Sequence, residues 1–386
     1  MSKLEPLGIT RLDSLHYYVH DIDRVRSLFV DKMDFQEIGV SGENFNRRGK
    51  QRSAVFRAGQ ATFVFIEPMG VGGAAWRFLK KHPEGIGTLV FEVEDIDKAY
   101  ALLDERGATL MGAVERFEDD GGTLATFSIT TPFGDTTFRF VERKGYGGIF
   151  PDYVPHAEPK GGSNRFGFDE VDHITSNFLT MKPALLWMQH VLGFEEYWEV
   201  AFHTTDVSES KRAQHGSGLK SVVMWDPHSG IKFANNEPAP PNFRASQIHL
   251  FAEDHHGAGI QHTALTVPDI ISTVKDLRSE GVAFMPTPGT YYDMLPEHLE
   301  RIGVGSIEED VDVLRDLEIL VDGGANRSYM LQIFLQEQAT QFKATEAGPF
   351  FIEIIQRKGD KGFGAGNFRA LFESIERQQV AAGRIL

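Results

Sequence analysis

The sequence predicts an α+β protein whose two halves share one plan of strands and helices. Apolar, β-prone segments alternate with stretches of helical spacing, and three pairs of similar segments follow the same order in both halves. The pairs are 85–96 with 259–270, 138–145 with 352–359, and 15–17 with 171–173. Similarity repeated in the same order indicates a tandem duplication.

Within each half the pattern is a strand, a helix and further strands, and this series then repeats. Helical spacing occurs in Ile22, Val25 and Phe29, in Ile96, Tyr100 and Leu103, and in Ile270, Val274 and Leu277. A glycine- and proline-rich stretch over 146–165 predicts a linker, which divides the chain into domains 1–150 and 166–386. Apolar residues on one face of 367–378 predict a final amphipathic helix against the second half.

Composition excludes several kinds of chemistry. The 386 residues include 39 Lys and Arg against 55 Asp and Glu, a formal net charge of −16, which disfavours nucleic-acid and membrane partners. There is no cysteine, which excludes disulfides, thiolate catalysis and iron–sulfur clusters. The N-terminus lacks the apolar core of a signal peptide, and no apolar run reaches membrane-spanning length. We therefore expect a cytoplasmic protein that uses histidine, carboxylates, hydroxyls or a bound cofactor.

The duplication suggests where metal chemistry lies. Matched positions read Tyr17, Thr88 and Arg139 in the first half, and His173, His262 and Glu353 in the second. Two imidazoles and a carboxylate are the ligand set of a mononuclear non-haem Fe(II) site. The same set fits catalytic zinc, so ligand identity alone leaves the metal open. Oxygen chemistry favours iron, because iron can change its oxidation state.

Each candidate ligand has a simpler interpretation. The chain has 14 histidines, and His255 and His256 compete with His262, although their polar surroundings predict an exposed loop. Glu353 interrupts an apolar strand, and a buried carboxylate requires a cation or hydrogen bonds. Arg357 is the alternative partner that would make Glu353 purely structural.

The residues around Glu353 predict the character of a pocket. Period-two alternation places Phe351 on the same face as Glu353, and Gln332 on the same face as Phe334. An apolar, phenylalanine-lined cavity with a few amides and one cation suits a small aromatic acid.

A set of short motifs carries a family resemblance. They are Val171-Asp172-His173, Asn236-Glu237-Pro238, Ser246-Gln247-Ile248, and the segments 257–262, 286–292, 331–334, 351–357 and 362–368. In these motifs the chain resembles the 4-hydroxyphenylpyruvate dioxygenases of the vicinal-oxygen-chelate superfamily over nearly its whole length. The match is close in the second half and looser in the first.

The resemblance implies a fold and an activity. The fold is a tandem of βαβββ modules with an open β-barrel in each half, of which only the C-terminal one holds a metal. One Fe(II) per subunit is bound by His173, His262 and Glu353. The reaction converts 4-hydroxyphenylpyruvate and O2 to homogentisate and CO2 by oxidative decarboxylation, ring hydroxylation and side-chain migration, as in tyrosine breakdown. Family members form homodimers or homotetramers, which is the assembly we expect.

The resemblance also implies roles around the metal. Catalytic roles in positioning the substrate fall to Ser221, Asn236, Gln247 and Gln332. Substrate binding falls to Gln261, Phe334, Phe351, Phe363 and Phe368, the last two acting through the C-terminal helix as a lid.

Two departures from the family pattern keep alternatives open. Ala234-Asn235 stands where the family has Pro-Ile, at the pocket wall, and the segment 208–218 is longer than usual. A 4-hydroxymandelate synthase would use the same substrate with benzylic hydroxylation. A metal-free small-molecule binding protein of the same superfamily is the non-enzymatic alternative.

Overall fold

A computed structural model of the chain describes residues 4–203, 218–240, 243–324 and 327–363, together with Asn367, Ala370 and Gly383. Phe368, nearly all of the predicted C-terminal helix over 367–378, and positions 208–217 of the long loop lie outside these residues. In the described ranges no helix is both long and apolar enough to cross a membrane.

The first half consists of two successive βαβββ modules and a linker strand. The first module comprises β1 (Ile9–Tyr18), α1 (Ile22–Phe29), β2 (Gln36–Ser41), α2 (Glu43–Gly49), β3 (Gln51–Ala58) and β4 (Ala61–Pro68), followed by α3 (Ala74–Leu79). The second comprises β5 (Gly85–Val93), α4 (Ile96–Glu105), β6 (Glu115–Glu118), β7 (Thr123–Thr130) and β8 (Thr137–Lys144), and the linker forms β9 (Tyr153–Gly161).

The second half repeats this order. Its first module comprises β10 (Val171–Asn177), α5 (Lys182–Trp187) with a π-helical turn Met188–Leu192, β11 (Glu195–His203), β12 (Gly218–Trp225) and β13 (Lys232–Pro238), followed by a 3-10 turn Phe243–Ala245 and α6 (Gln247–Asp254). Its second comprises β14 (Gly259–Thr266), α7 (Ile270–Ser279), α8 (Gly289–Arg301), α9 (Val311–Leu317), β15 (Leu320–Gly324), β16 (Ser328–Phe334), α10 (Gln338–Phe342), a 3-10 turn Thr345–Ala347 and β17 (Phe351–Lys358).

The strands of each half pair into one mixed sheet. Among the described residues the orders are β6-β7-β8-β5-β1-β4-β3-β2-β9 and β11-β12-β13-β10-β14-β17-β16-β15. In both sheets the first strands of the two modules are antiparallel neighbours at the centre, β1 with β5 and β10 with β14. The predicted α+β fold with tandem βαβββ modules is confirmed.

The acidic helix starts in the sequence are N-terminal caps. The carboxylate of Asp21 accepts hydrogen bonds from the backbone N–H groups of Asp23 and Arg24 at the start of α1. Asp95 and Asp269 cap α4 and α7 in the same way. Each cap contributes about 1 kcal/mol, because it satisfies an N–H group that has no partner within the helix.

Strand register corrects one of the matched positions. Three-strand rows run across β1, β5 and β8, and across β10, β14 and β17. The rows are Ser14, Val90 and Arg139 in the first half, and His173, Ala264 and Glu353 in the second. The counterpart of His173 is therefore Ser14, and the pairing with Tyr17 was wrong. Tyr17 is a core residue whose ring lies 5.0 Å from that of Phe350.

One apolar core joins the two halves. The ring of Phe133 lies 5.1 Å from Phe178, and that of Phe138 lies 5.8 Å from both Trp187 and Phe233. These first-half side chains thus pack directly on β10, α5 and β13 of the second half. Because the same cluster continues to β17, the first half supports the strands that carry the candidate metal ligands.

His255 lies at a second contact between the halves. The expectation of an exposed loop is wrong for His255, which is 3% exposed, and correct for His256. The His255 ring stacks on His82 at 4.7 Å and on Phe251 at 5.2 Å. Nδ1 of His82 also lies 2.7 Å from the backbone carbonyl oxygen of His255. His255 is therefore part of the interface rather than a metal ligand.

This contact predicts an acid-sensitive stability. Burial, with the positive charge available to His82, lowers the pKa of His255 to about 4. Because the folded pKa lies below the usual 6.5, the contact is fully stabilising above about pH 6.5 and weakens as the pH falls towards 4. The shift corresponds to about 3 kcal/mol of unfolding free energy. The unfolding free energy of His255→Leu, measured with urea, should therefore depend less steeply on pH than that of the parent between about pH 4 and 6.5.

The exposed neighbour supplies the control. His256→Asn keeps the left-handed backbone there, φ 60°, which asparagine tolerates, and should reproduce the parental pH profile. Equal slopes of unfolding free energy against pH for the parent and His255→Leu would contradict this account.

Candidate metal centre

Three side chains on neighbouring central strands meet on one face of the second sheet. His173 and Glu353 lie in one row across β10, β14 and β17, and His262 lies two residues earlier on β14. The Nε2 atoms of His173 and His262 each lie 3.3 Å from Oε2 of Glu353. The three ligand atoms lie within 4.8 Å of one another. Residues up to 180 positions apart along the chain thus meet because the register aligns them.

The electrostatics of the three groups favour a bound cation. Burial alone would raise the pKa of Glu353, but the adjacent imidazoles lower it to about 2. Burial would lower the pKa of His173, but the charge of Glu353 and the hydrogen bond to Asp172 raise it to about 9. A carboxylate that is only 1% exposed is therefore ionised and needs positive charge beside it. A proton on His173 or a divalent cation supplies that charge.

Asp172 and Arg357 fix the orientation of His173. Asp172 Oδ1 lies 2.9 Å from His173 Nδ1, which leaves Nε2 directed towards Glu353. Arg357 donates from Nε to Asp172 Oδ2 at 2.5 Å and from its terminal nitrogen to Oδ1 at 2.7 Å. Arg357 therefore pairs with Asp172, and the alternative in which it neutralises Glu353 is wrong. A carboxylate behind a ligand imidazole is the usual support of a metal-bound histidine.

The residues fit a divalent metal. Both ring nitrogens of His262 are buried without a hydrogen bond in the described structure. A buried imidazole with unused nitrogen atoms loses hydration, and a metal bond at Nε2 offsets that cost. His173 Nε2, His262 Nε2 and Glu353 Oε2 form the two-histidine, one-carboxylate set that suits Fe(II) with open coordination positions. These three residues would hold the ion.

Gln332 connects Glu353 to the C-terminal segment. Its amide nitrogen donates to Oε1 of Glu353 at 2.7 Å, which leaves Oε2 for the metal. The amides of Gln332 and Asn367 lie 2.8 Å apart, and the backbone N–H of Asn367 donates to Asp322. Gln332 thus orients a candidate metal ligand, a role that the sequence did not indicate. Asn367 was also missed as a polar neighbour of the site.

Three of the predicted phenylalanines form the walls of the centre. Phe351 stacks on His262 at 4.7 Å, and Phe334 lies edge-on to the same imidazole at 6.1 Å. Phe363 lies 5.0 Å from the His173 ring. Buried phenylalanines thus lie against both imidazoles, which suits a bound aromatic ring. Phe368 lies outside the described residues.

The predicted polar residues fall into two groups. Ser221 and Asn236 are cross-strand partners, and the amide nitrogen of Asn236 donates to Asn177 at 3.0 Å. Gln247 and Gln261 form a second pair, with 3.4 Å between their amide groups.

The first group has unused hydrogen-bonding capacity. The Ser221 hydroxyl, the side-chain oxygen of Asn236 and the side-chain nitrogen of Asn177 are buried and have no hydrogen-bond partner in the described structure. Buried polar atoms of this kind normally bind water or a ligand. Sequence reasoning missed Asn177, although its spacing of four from His173 on β10 was the available signal.

The two residues of the departure at 234–235 differ in importance. Asn235 points away from the metal face, since its amide nitrogen donates to the carbonyl oxygens of Val222 and Phe233. Ala234 packs on Val223 and Phe363, which places it at the pocket wall. Only Ala234 can therefore affect what the pocket accepts.

The first half keeps the support of the centre without its ligands. Arg143 donates to both oxygens of Asp13 at 2.7 and 3.2 Å, as Arg357 does to Asp172. The Ser14 hydroxyl donates to Asp13 where His173 contacts Asp172. Arg139, in the row position of Glu353, is hydrogen-bonded to Ser128. A guanidinium in that position repels a cation, and among the described residues the group of three candidate ligands lies in the second half.

Comparison with known proteins agrees with the division of the chain into two similar halves. Residues 13–127 and 170–295 each match a model described as the glyoxalase/bleomycin resistance protein/dioxygenase superfamily. The chain is 33% identical to 4-hydroxyphenylpyruvate dioxygenase of Dictyostelium discoideum, with 97% of this chain and 99% of that protein covered. It is 38% identical to the enzyme of the same name from Caenorhabditis briggsae, with 80% and 76% covered.

A solved structure supports the fold. A triple mutant of 4-hydroxymandelate synthase from Streptomyces coelicolor matches with a TM-score of 0.78 and 24% identity, over 96% of this chain and 99% of that one. At this identity the match establishes the architecture alone.

Proposed function

The chain belongs to the 4-hydroxyphenylpyruvate dioxygenase family, and from that premise we propose that it converts 4-hydroxyphenylpyruvate and O2 to homogentisate and CO2. The observation that carries the proposal is the convergence of His173, His262 and Glu353 within 4.8 Å, with their polar atoms buried among phenylalanines. A bound Fe(II) at these atoms would supply open coordination positions and a reversible change of oxidation state, while the substrate would provide the electrons that reduce O2.

The side chains around the metal suit a 2-oxo acid with an aromatic ring. A metal held by these three residues would have positions available for the keto and carboxylate oxygens of the substrate. Phe334, Phe351 and Phe363 would bind the ring and exclude water. The buried polar atoms of Ser221 and Asn236, and the amides of Gln247 and Gln261, would hold oxygen atoms of the substrate by hydrogen bonds.

Gln332 has a positioning role in this proposal. Its bond to Oε1 of Glu353 keeps the carboxylate in one orientation, so that a single oxygen faces the metal. Its second contact, with Asn367, connects that ligand to a residue close to the C-terminus.

Product identification tests the activity. The iron-loaded protein, incubated with 4-hydroxyphenylpyruvate and O2, should release one CO2 per O2 consumed and yield homogentisate by chromatography. Absence of product from a protein that retains its iron would contradict the proposal.

Ala234 is the observation that favours a second candidate. Alanine leaves more space beside Phe363 than a proline would, so the substrate could bind with its benzylic carbon nearer the reacting oxygen. The product would then be 4-hydroxymandelate, which the same chromatography separates from homogentisate. If 4-hydroxymandelate forms, Ala234→Pro should shift the products towards homogentisate.

The proposal extends to the domains, the iron stoichiometry and the cellular role. We propose that residues 1–150 form a structural domain and 166–386 the catalytic domain, and that one iron is bound per subunit. The protein would act in the cytoplasm in tyrosine breakdown, as a homodimer or homotetramer. The confinement of the ligand set to the second half supports the first two statements. Metal analysis and light scattering would test the stoichiometry and the assembly.

A further inference from the structure

A cavity of about 300 Å³ lies between the two halves, apart from the phenylalanine-lined face of the metal centre. Residues 11–15 and 60–62 of the first half and residues 170–172 and 229–232 of the second line it. The volume is at the lower end of the range for pockets that bind small molecules. Asp172, which supports the metal ligand His173, forms part of its wall.

The lining follows the internal duplication. Strand register relates the start of β1 to that of β10 and the start of β4 to that of β13, since Leu15 pairs with Phe63 as Ile174 pairs with Phe233. The corresponding wall positions are Arg11 with Glu170, Asp13 with Asp172, and Thr62 with Lys232. Corresponding segments thus face each other across the cavity, but their charges differ.

Most of the charges in the wall are neutralised by protein groups. Asp13 is paired with Arg143, and Asp172 with Arg357. Arg11 contacts both Glu92 and Asp13.

Lys232 and Glu170 are the exceptions. Within the part of the chain that the structure describes, neither side chain forms a hydrogen bond or has an opposite charge within 4.0 Å. Both belong to the same end of the cavity, where β10 and β13 begin.

The energetic state of these two groups favours an added ligand. Lys232 is half-buried and Glu170 is exposed. Burial lowers the pKa of Lys232, and only the carboxylates of Asp172 and Glu170, each more than 4.0 Å away, offset the hydration that its ammonium group has lost. A ligand with a single charge would satisfy one group and leave the other. A ligand that carries an anionic and a cationic group a few ångströms apart would satisfy both.

We propose that this cavity binds a small zwitterion of the α-amino acid class, whose carboxylate contacts Lys232 and whose ammonium group contacts Glu170. The site is distinct from the metal centre and shares only Asp172 with its support. An occupant would rigidify the start of β10 and thereby the segment that carries His173. Thr62, the counterpart of Lys232 in the first half, is uncharged, so the duplication does not place a second cation on the opposite wall.

Calorimetry on the iron-loaded full chain tests the proposal with L-alanine as the probe, and acetate and methylammonium as single-charge controls. L-Alanine should bind with a Kd in the millimolar range, at least about tenfold tighter than either control. Lys232→Met and Glu170→Gln should each weaken L-alanine binding about tenfold or more, whereas Lys232→Arg should preserve it. The exposed Lys275→Met is the matched control and should bind as the parent does.

The outcomes separate this site from the proposed activity. Because the readout is binding, a protein that fails to make homogentisate could still bind L-alanine, and an active enzyme could fail to bind it. Equal affinity for acetate and L-alanine would overturn the zwitterion assignment. Absence of binding, or binding that Lys232→Met leaves unchanged or that saturating 4-hydroxyphenylpyruvate abolishes, would overturn the site itself.

Discussion

Glu353→Gln is expected to purify without iron and to lose turnover of 4-hydroxyphenylpyruvate. The amide has nearly the same shape, but it carries no charge, and its carbonyl oxygen is the natural acceptor for the Gln332 amide nitrogen that now binds Oε1. The NH2 group would then point at the two imidazoles, where a donor cannot bind a cation. Loss of an outer support costs about 10–100-fold in metal affinity, and loss of a ligand should exceed that. Metal analysis after gel filtration, with O2 consumption, measures both effects.

The duplicated half supplies the control for this variant. Arg139→Gln places the same side chain at the corresponding row position of the first sheet, the third residue of β8 as Glu353 is the third residue of β17. This position lies near the imidazole of His16 but away from the candidate metal centre. Iron content and turnover should equal those of the parent, which would separate ligand loss from a general effect of altering β8 or β17. Full iron content in Glu353→Gln would contradict the assignment of Glu353 as a ligand.

The sequence predicted the three candidate ligands because the duplication offered an internal comparison. His262 and Glu353 stand where the first half has Thr88 and Arg139, and register places these residues as expected. The match of His173 to Tyr17 failed because the segments 15–17 and 171–173, laid side by side, have no identical residue that would fix their alignment. β1 and β10 carry register shifts at corresponding positions, so only the ladder across three strands revealed Ser14.

The supporting contacts could not be predicted from local patterns. Asp172 and Arg357 are 185 positions apart, and Asp13 and Arg143 are 130 apart. Taken alone, each of these charged residues is typical of a solvent-exposed position at the end of a strand. His255 was misassigned for a related reason, since its polar neighbours indicated a loop, while the surface that buries it comes from His82 in the other half. Long-range packing decides both cases.

Asp172→Asn is expected to lower iron affinity about 10–100-fold, because the imidazole of His173 loses the carboxylate that orients it and increases its basicity. The same change breaks a buried ion pair, which costs about 3 kcal/mol of unfolding free energy when one partner is left unpaired. A fall in iron content could therefore arise from either effect. Competition with a chelator measures affinity, and urea unfolding of the metal-free protein measures stability.

Asp13→Asn distinguishes the two effects, because it breaks the matching pair with Arg143 in the same fold. Both aspartates are buried, and both arginines are mostly buried beside them. The two variants should therefore lose similar unfolding free energy, but only Asp172→Asn should lose iron affinity, since Asp13 supports a serine hydroxyl instead of an imidazole. Equal losses of iron in both variants would mean that Asp172 acts through stability alone. A loss of iron affinity in Asp172→Asn alone, with equal stability of the two variants, would show that Asp172 positions His173.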